Sequence, residues 1–235
     1  EEANAWDRIE QALTKGVQYL ETANPGLTIP DLTVLLVLGD PSNEHFMNEI
    51  RGLSAFGGIS GYIAITIWPT EEVLHRLEAI ALHELHHNVR YSPDGIVWNP
   101  QTVTVGEHIV AEGLADLFAA QFYGQRGYTH FVTDQTRSRE DVLRRVVEGL
   151  DVTGMQDFAA WVLGDSSARL MGSKPVGLPT GAGYAAGARI AQTYMDKTGR
   201  TASECVTTPA AEILNVALPQ LGLTRHDLSL IHISE

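Results

Sequence analysis

His83 and His87 stand four residues apart, with Glu84 directly after the first, in the pattern His-Glu-x-x-His. On a helix, positions i and i+4 share one face about one turn apart. Two imidazoles so placed can reach a single zinc ion at about 2.0–2.1 Å each. Glu84 then lies beside the ion rather than on it, where its carboxylate can take a proton from a zinc-activated water. Zinc lowers the pKa of such a water to about 7, so the chemistry expected is metal-assisted hydrolysis at neutral pH. His86 points about 100° away from His87 on an ideal helix and is expected to be a surface or supporting residue, not a ligand.

A catalytic zinc takes three protein ligands and keeps one position open. A third histidine in the extended pattern would fall at position 93, which is Pro93, so that arrangement is excluded. A glutamate from a later helix is the other common solution, and Glu107 and Glu112 are the candidates. They are five residues apart, about 140° around a helix, so both cannot face one ion. Glu112 is favoured because Asp116 follows at i+4 on the same face and can accept the free N–H of a ligating histidine. Gly113 would also let this helix and the metal helix come close. Glu107 reads instead as a first-turn acid favoured by the helix dipole. A developing oxyanion needs a donor besides the metal; Tyr184 is the candidate, with Tyr128, His108 and His130 as rivals. Arg90, just under a turn beyond His87, is either a partner for a carboxylate near the site or a surface charge.

The elements that must position these residues follow from periodicity. Trp6, Ile9, Leu13, Val17 and Leu20 recur in steps of three and four and predict an amphipathic helix to about Ala23, stopped by Asn24-Pro25-Gly26. Leu32 to Leu38 is an apolar run that predicts a buried strand. A glycine-rich stretch, Gly52 to Gly61, precedes Tyr62–Trp68. There Ile63, Ile65 and Ile67 face one side and Tyr62, Ala64, Thr66 and Trp68 the other, as a strand requires. Thr70 is an N-cap with Glu71 and Glu72 in the first turn. Leu74, Leu77, Ala81 and Leu85 continue a helical stripe to about Arg90. Further helices are expected over about 106–123, with Ile109, Leu114, Leu117, Phe118 and Phe122 in the core, and over 138–149, 155–163, 184–198 and 209–218. A loop is expected over 172–183.

Composition narrows the function classes. The chain has 235 residues, 44% of them hydrophobic, and a formal net charge of −13. That suits a globular domain and argues against nucleic acid as a partner, which needs a basic surface. Cys205 is the one cysteine, so neither an internal disulfide nor a cysteine-based zinc site is expected. It fits a reducing, cytoplasmic compartment, although a chain beginning at Glu1 leaves room for an upstream export signal. No apolar run reaches the ~18 residues of a membrane span. The last eight residues, 228–235, read as a translated sequencing adapter and are set aside, His232 with them; residues 1–227 read as a single domain.

Four blocks carry a resemblance: Gly57-Gly58-Ile59-Ser60-Gly61, the run from Ala81 to Arg90 around His-Glu-Leu-His-His, Glu112-Gly113-Leu114-Ala115-Asp116, and Gly183-Tyr184-x-x-Gly187. Together they resemble a bacterial family of zinc-dependent proteases otherwise labelled a domain of unknown function, over about residues 30–218. The resemblance implies a zinc peptidase of the glutamate-ligand type, gluzincin-like, acting on peptide or protein substrates. It also implies a zincin-like fold of the α+β class: a small, mostly antiparallel sheet packed on the metal helix, then a mainly helical C-terminal half. By analogy with such peptidases, the strand Tyr62–Trp68 would hold a substrate peptide along its edge, or else serve as an ordinary core or edge strand. A metallohydrolase of a non-peptide bond, a zinc-binding regulatory protein without turnover, and another divalent ion in place of zinc remain open alternatives.

Overall fold

The computed structural model describes residues 3–223; the adapter-like segment 228–235 lies outside them. The protein is α+β, with one three-stranded sheet among many helices. Helix α1 (Ala5–Ala23) leads into strand β1 (Thr33–Leu38). Strands β2 (Leu53–Ile59) and β3 (Tyr62–Ile67) form a hairpin. Helices α2 (Glu71–Leu74), α3 (Leu77–Arg90) and α4 (Val105–Tyr123) follow. The remainder is helical: α5 (Asp134–Ser138), α6 (Glu140–Glu148), α7 (Asp165–Leu170), α8 (Ala182–Thr198) and α9 (Ala210–Gln220), with a π-helical turn at Ala159–Leu163. Among the described residues, no helix is long and apolar enough to cross a membrane.

The sheet is mixed, in the order β1-β3-β2, rather than mostly antiparallel. β1 runs parallel to β3, with Thr33 opposite Tyr62 and Leu38 opposite Ile67. β2 runs antiparallel to β3, with a register break between Phe56 and Ile59. Two expectations fail on this topology. β3 is the central strand, with its backbone taken up by ladders on both sides, so it cannot offer an edge to a peptide; β2 is the edge strand that packs on α3. β1 is an edge strand rather than a buried one, and it leaves Leu35 59% and Leu38 71% exposed. An apolar run marks a strand but does not say which of its faces is covered. The alternation in β3 is faithful: Ile63, Ile65 and Ile67 are all buried.

Contacts divide the chain into two compact units. The first holds residues up to Trp98, Leu114–Phe131 and Thr201–Thr208, and therefore the sheet, α1 and the metal helix α3. Its core joins Ile9, Leu13 and Leu20 of α1 to Leu82 and Leu85 of α3, with Gly16 admitting both leucines. The second unit holds Asn99–Gly113, Val132–Arg200 and the described residues from Pro209 to Leu223. In it α8 packs on α6 and α9. α4 is one unbroken helix that starts in the second unit and ends in the first.

Gly113 has a different partner from the one expected. A Cβ on Gly113 would lie 2.2 Å from the carbonyl oxygen of Gly187, and one on Gly187 would lie 2.0 Å from that of Ile109. The glycine pair therefore lets α4 and α8 touch backbone to backbone; the helix it admits is α8, not α3. The expected single helix from Thr70 to Arg90 is likewise two. Thr70 caps the short α2 by accepting from Val73 N–H, and the chain breaks at His75-Arg76 before α3 begins.

Candidate metal centre

α3 is buried almost all round: twelve of its fourteen residues are covered, and six of those are polar or ionisable. His83, Glu84 and His87 are only 4%, 5% and 8% exposed. A helix so polar is costly to bury unless most of its polar groups find partners. The partners build the site.

His83, His87 and Glu112 form a group in which one ligand atom from each lies within 4.8 Å of the others. The two imidazoles meet Nε2 to Nε2 at 3.1 Å. Two nitrogens sharing a tetrahedral zinc at about 2.05 Å each would stand about 3.3 Å apart, so the pair is spaced as two ligands of one ion. His83 Nδ1 lies 3.1 Å from Asp116 Oδ1. The carboxylate oxygen must accept there, which puts the proton on Nδ1 and leaves the Nε2 lone pair towards His87 and Glu112. Asp116 is itself held: the same oxygen accepts from Thr129 N–H at 3.0 Å and from Thr129 Oγ1 at 2.7 Å. The Tyr91 ring stacks parallel to His87 at 6.3 Å between centroids.

Glu84 lies under β2. A Cβ on Gly57 would fall 2.3 Å from the Glu84 carbonyl oxygen, so the strand rests directly on the helix backbone there and only glycine fits. Asn88, one turn beyond Glu84, fastens the β2–β3 hairpin in place. Its Nδ2 donates to the carbonyls of Gly57, Ile59 and Tyr62, and its Oδ1 accepts from Gly61 N–H at 2.9 Å. Composition and spacing did not single out Asn88; the one hint was a run of polar residues too dense for a single solvent face. Thr129 carried no hint at all.

For His86 and Arg90 the surface alternative falls. His86 is fully buried rather than at the surface, with its ring 5.6 Å from Phe118 and its Nε2 donating to the Ala202 carbonyl at 3.3 Å. Burial, with His87 and Arg90 nearby, holds its pKa well below that of an ordinary histidine. Arg90 is no surface charge: it is wholly buried and donates from Nη1 to the carbonyls of Val206 and Thr208, each at 3.0 Å. Apolar cover alone does not decide burial when the surrounding loops offer carbonyls.

Glu107 lies in the first turn of α4, where its N–H donates to Thr104 Oγ1 at 3.0 Å; it is outside the metal group. Tyr184 is half-buried in the first turn of α8. Of its rivals, His108 packs against Phe158 at 4.7 Å. Tyr128 lines a cleft with His83. His130 donates its Nε2 proton to the Ile50 carbonyl at 2.5 Å, so that proton is already engaged.

A family model described as "Predicted Zn-dependent protease (DUF2268)" matches residues 5–215. The match takes in α1, which the motif blocks alone did not reach. The chain is also similar to YjfC of Bacillus subtilis strain 168, an uncharacterized protein, with 32% identity over 218 residues. That alignment spans 91% of this chain and 70% of YjfC. No solved structure gives a significant match.

Proposed function

The chain belongs to this family of predicted zinc-dependent proteases, and from that premise we propose that it is a zinc peptidase. In this reading His83, His87 and Glu112 hold the ion and Glu84 is the general base. The observation that carries it is the convergence of two imidazoles and one carboxylate from separate helices, with their ligand atoms within 4.8 Å. Zinc bound there would polarise the scissile carbonyl and make water acidic enough to be deprotonated near pH 7. Glu84, adjacent in sequence to His83 and nearly buried, takes that proton and returns it to the leaving amine. Asp116 fixes the His83 ring in the tautomer that presents Nε2. Tyr184 is the assigned donor to the oxyanion. The substrate lies along β2, the edge strand on α3, held at its height by Asn88.

Metal analysis and hydrolysis of a mixed peptide library by the full chain test this reading. Wild type should carry one equivalent of zinc and cleave in a zinc-dependent way. Glu84→Gln should keep the zinc and lose activity by roughly 10²–10⁴-fold, the usual worth of a positioned acid–base group. His87→Ala should lose the zinc. A wild-type chain that binds zinc but cleaves no peptide, or a Glu84→Gln variant with full activity, would overturn it.

A further inference from the structure

Beside the metal group, wholly within the first unit, is a small cleft, half open to solvent. His83 forms part of its wall, so anything filling it sits next to one of the three residues assigned to the ion. Arg76 and Arg126 also line it, with Tyr128, Thr129 and His130, and no lining residue carries a carboxylate. That is unusual for this chain, in which 29 acidic residues face 16 basic ones. Arg76 is anchored: its Nη1 donates to the carbonyls of Arg126 and Tyr128 at 3.3 and 3.2 Å. Arg126 is exposed, with its guanidinium 5.8 Å over the Tyr123 ring. The nearby acids lie outside the lining: Asp116 accepts from His83 and Thr129, and Glu78 feels Arg126 as well as Arg8. Glu78 is gripped by Arg8 through two bonds of 2.7 Å, and Glu72 lies 3.7 Å from Arg51. Thr129 is committed to Asp116 and His130 to Ile50. The charged side chains in the lining itself are therefore Arg76 and Arg126, whose guanidinium form matches a carboxylate.

We propose that this cleft is a substrate subsite that receives a carboxylate, either an aspartate or glutamate side chain flanking the scissile bond or a free C-terminus. The assignment deepens the peptidase reading and rests on it. A peptide whose carbonyl reaches the metal group places a neighbouring side chain at the His83 wall, and the two arginines select an anionic one.

Binding can be read without turnover by using the zinc-loaded, full-length Glu84→Gln variant and fluorescence anisotropy. Three labelled peptides suffice, identical except for one position and the C-terminus: glutamate with an amidated end, glutamine with an amidated end, and glutamine with a free end. At least one anionic peptide should bind roughly ten-fold more tightly than the neutral one, the scale of a charge-assisted hydrogen bond. Which of them does so identifies the source of the carboxylate. The preference should vanish with Arg126→Gln and turn towards a lysine peptide with Arg126→Glu. Arg76→Lys, which keeps the charge and loses the fork, should weaken it. Equal or undetectable binding of all three peptides overturns the subsite, and so does a preference indifferent to Arg126, which would place the carboxylate on the metal. Zinc-dependent cleavage by wild type with no acidic preference sinks the subsite and leaves the peptidase. Arginine-dependent anion binding by a wild-type chain that cleaves nothing sinks the peptidase and leaves an anion site.

Discussion

α3 and α6 are both covered helices, but they are covered in opposite ways. α6 buries Val142, Leu143, Val146 and Val147 and turns Glu140, Asp141 and Arg144 outward, so one apolar stripe explains its position. α3 buries His83, Glu84, His86, His87, Asn88 and Arg90 together with its leucines. Its position depends on carbonyls, a carboxylate and a glycine strand arriving from elsewhere. Burial of the first kind is tolerant and non-directional. The second kind is specific, and it leaves nitrogen and oxygen atoms aimed at common points. A metal site needs such atoms, so it belongs on the second kind of helix.

The contrast can be tested by substitution, beginning with the largest effect. Leu143→Ala in α6 should cost about 3 kcal/mol of stability, from lost burial and a cavity, and leave zinc content unchanged by metal analysis. Loss of zinc in that variant would blur the distinction between the helices. His130 offers a comparable effect through pH. Burial first, with Arg76 and Arg51 adding to it, pushes its pKa from 6.5 down to about 4, against a smaller upward pull from the Ile50 carbonyl. As pH falls from 6.5 to 4, the unfolded chain takes up a proton that the folded one refuses. Stability should therefore drop by about 3 kcal/mol across that window and level off below it. Denaturant titrations at successive pH values should show this slope, and His130→Gln should flatten it.

Asn88→Ala should cost about 2 kcal/mol, because the carbonyls of Gly57, Ile59 and Tyr62 and the Gly61 N–H lose their shared partner. Hydrogen exchange should accelerate in β2 and β3 more than in α6; uniform acceleration would mean that Asn88 is not a local fastener. Asp116→Asn should be the gentlest on the fold, since Thr129 can still donate to the amide oxygen. Zinc affinity, measured by competition with a chelator, should fall roughly 10–100-fold, because a neutral amide oxygen supports the ligating His83 less strongly than a carboxylate does. An unchanged affinity would remove Asp116 from the site.

Much of this was legible in order of residues. The 3.6 period marked α1, α4, α6 and α8 to within a few residues, and the two-residue alternation marked β3 and its buried isoleucines. β2 was not legible, because Gly57 and Gly58 depress strand propensity. They are there for a reason that lies in another element, the approach of the strand to the Glu84 backbone. The mixed sheet was equally hidden, since strand direction depends on where β1 lands, not on its composition.

At the candidate site the division is similar. The four-residue step from His83 to His87 suffices to stack two imidazoles, because the helix sets that geometry within one turn. The step from Glu112 to Asp116 likewise puts two carboxylates on one face. Neither step says what comes to meet it. The meeting of α3 with α4, the seating of Gly113 against α8, the clamp of Asn88 on the hairpin and the burial of His86 and Arg90 all join residues far apart in the chain. Such contacts are resolved by packing and by the need to satisfy most buried polar groups at once, which no local spacing encodes.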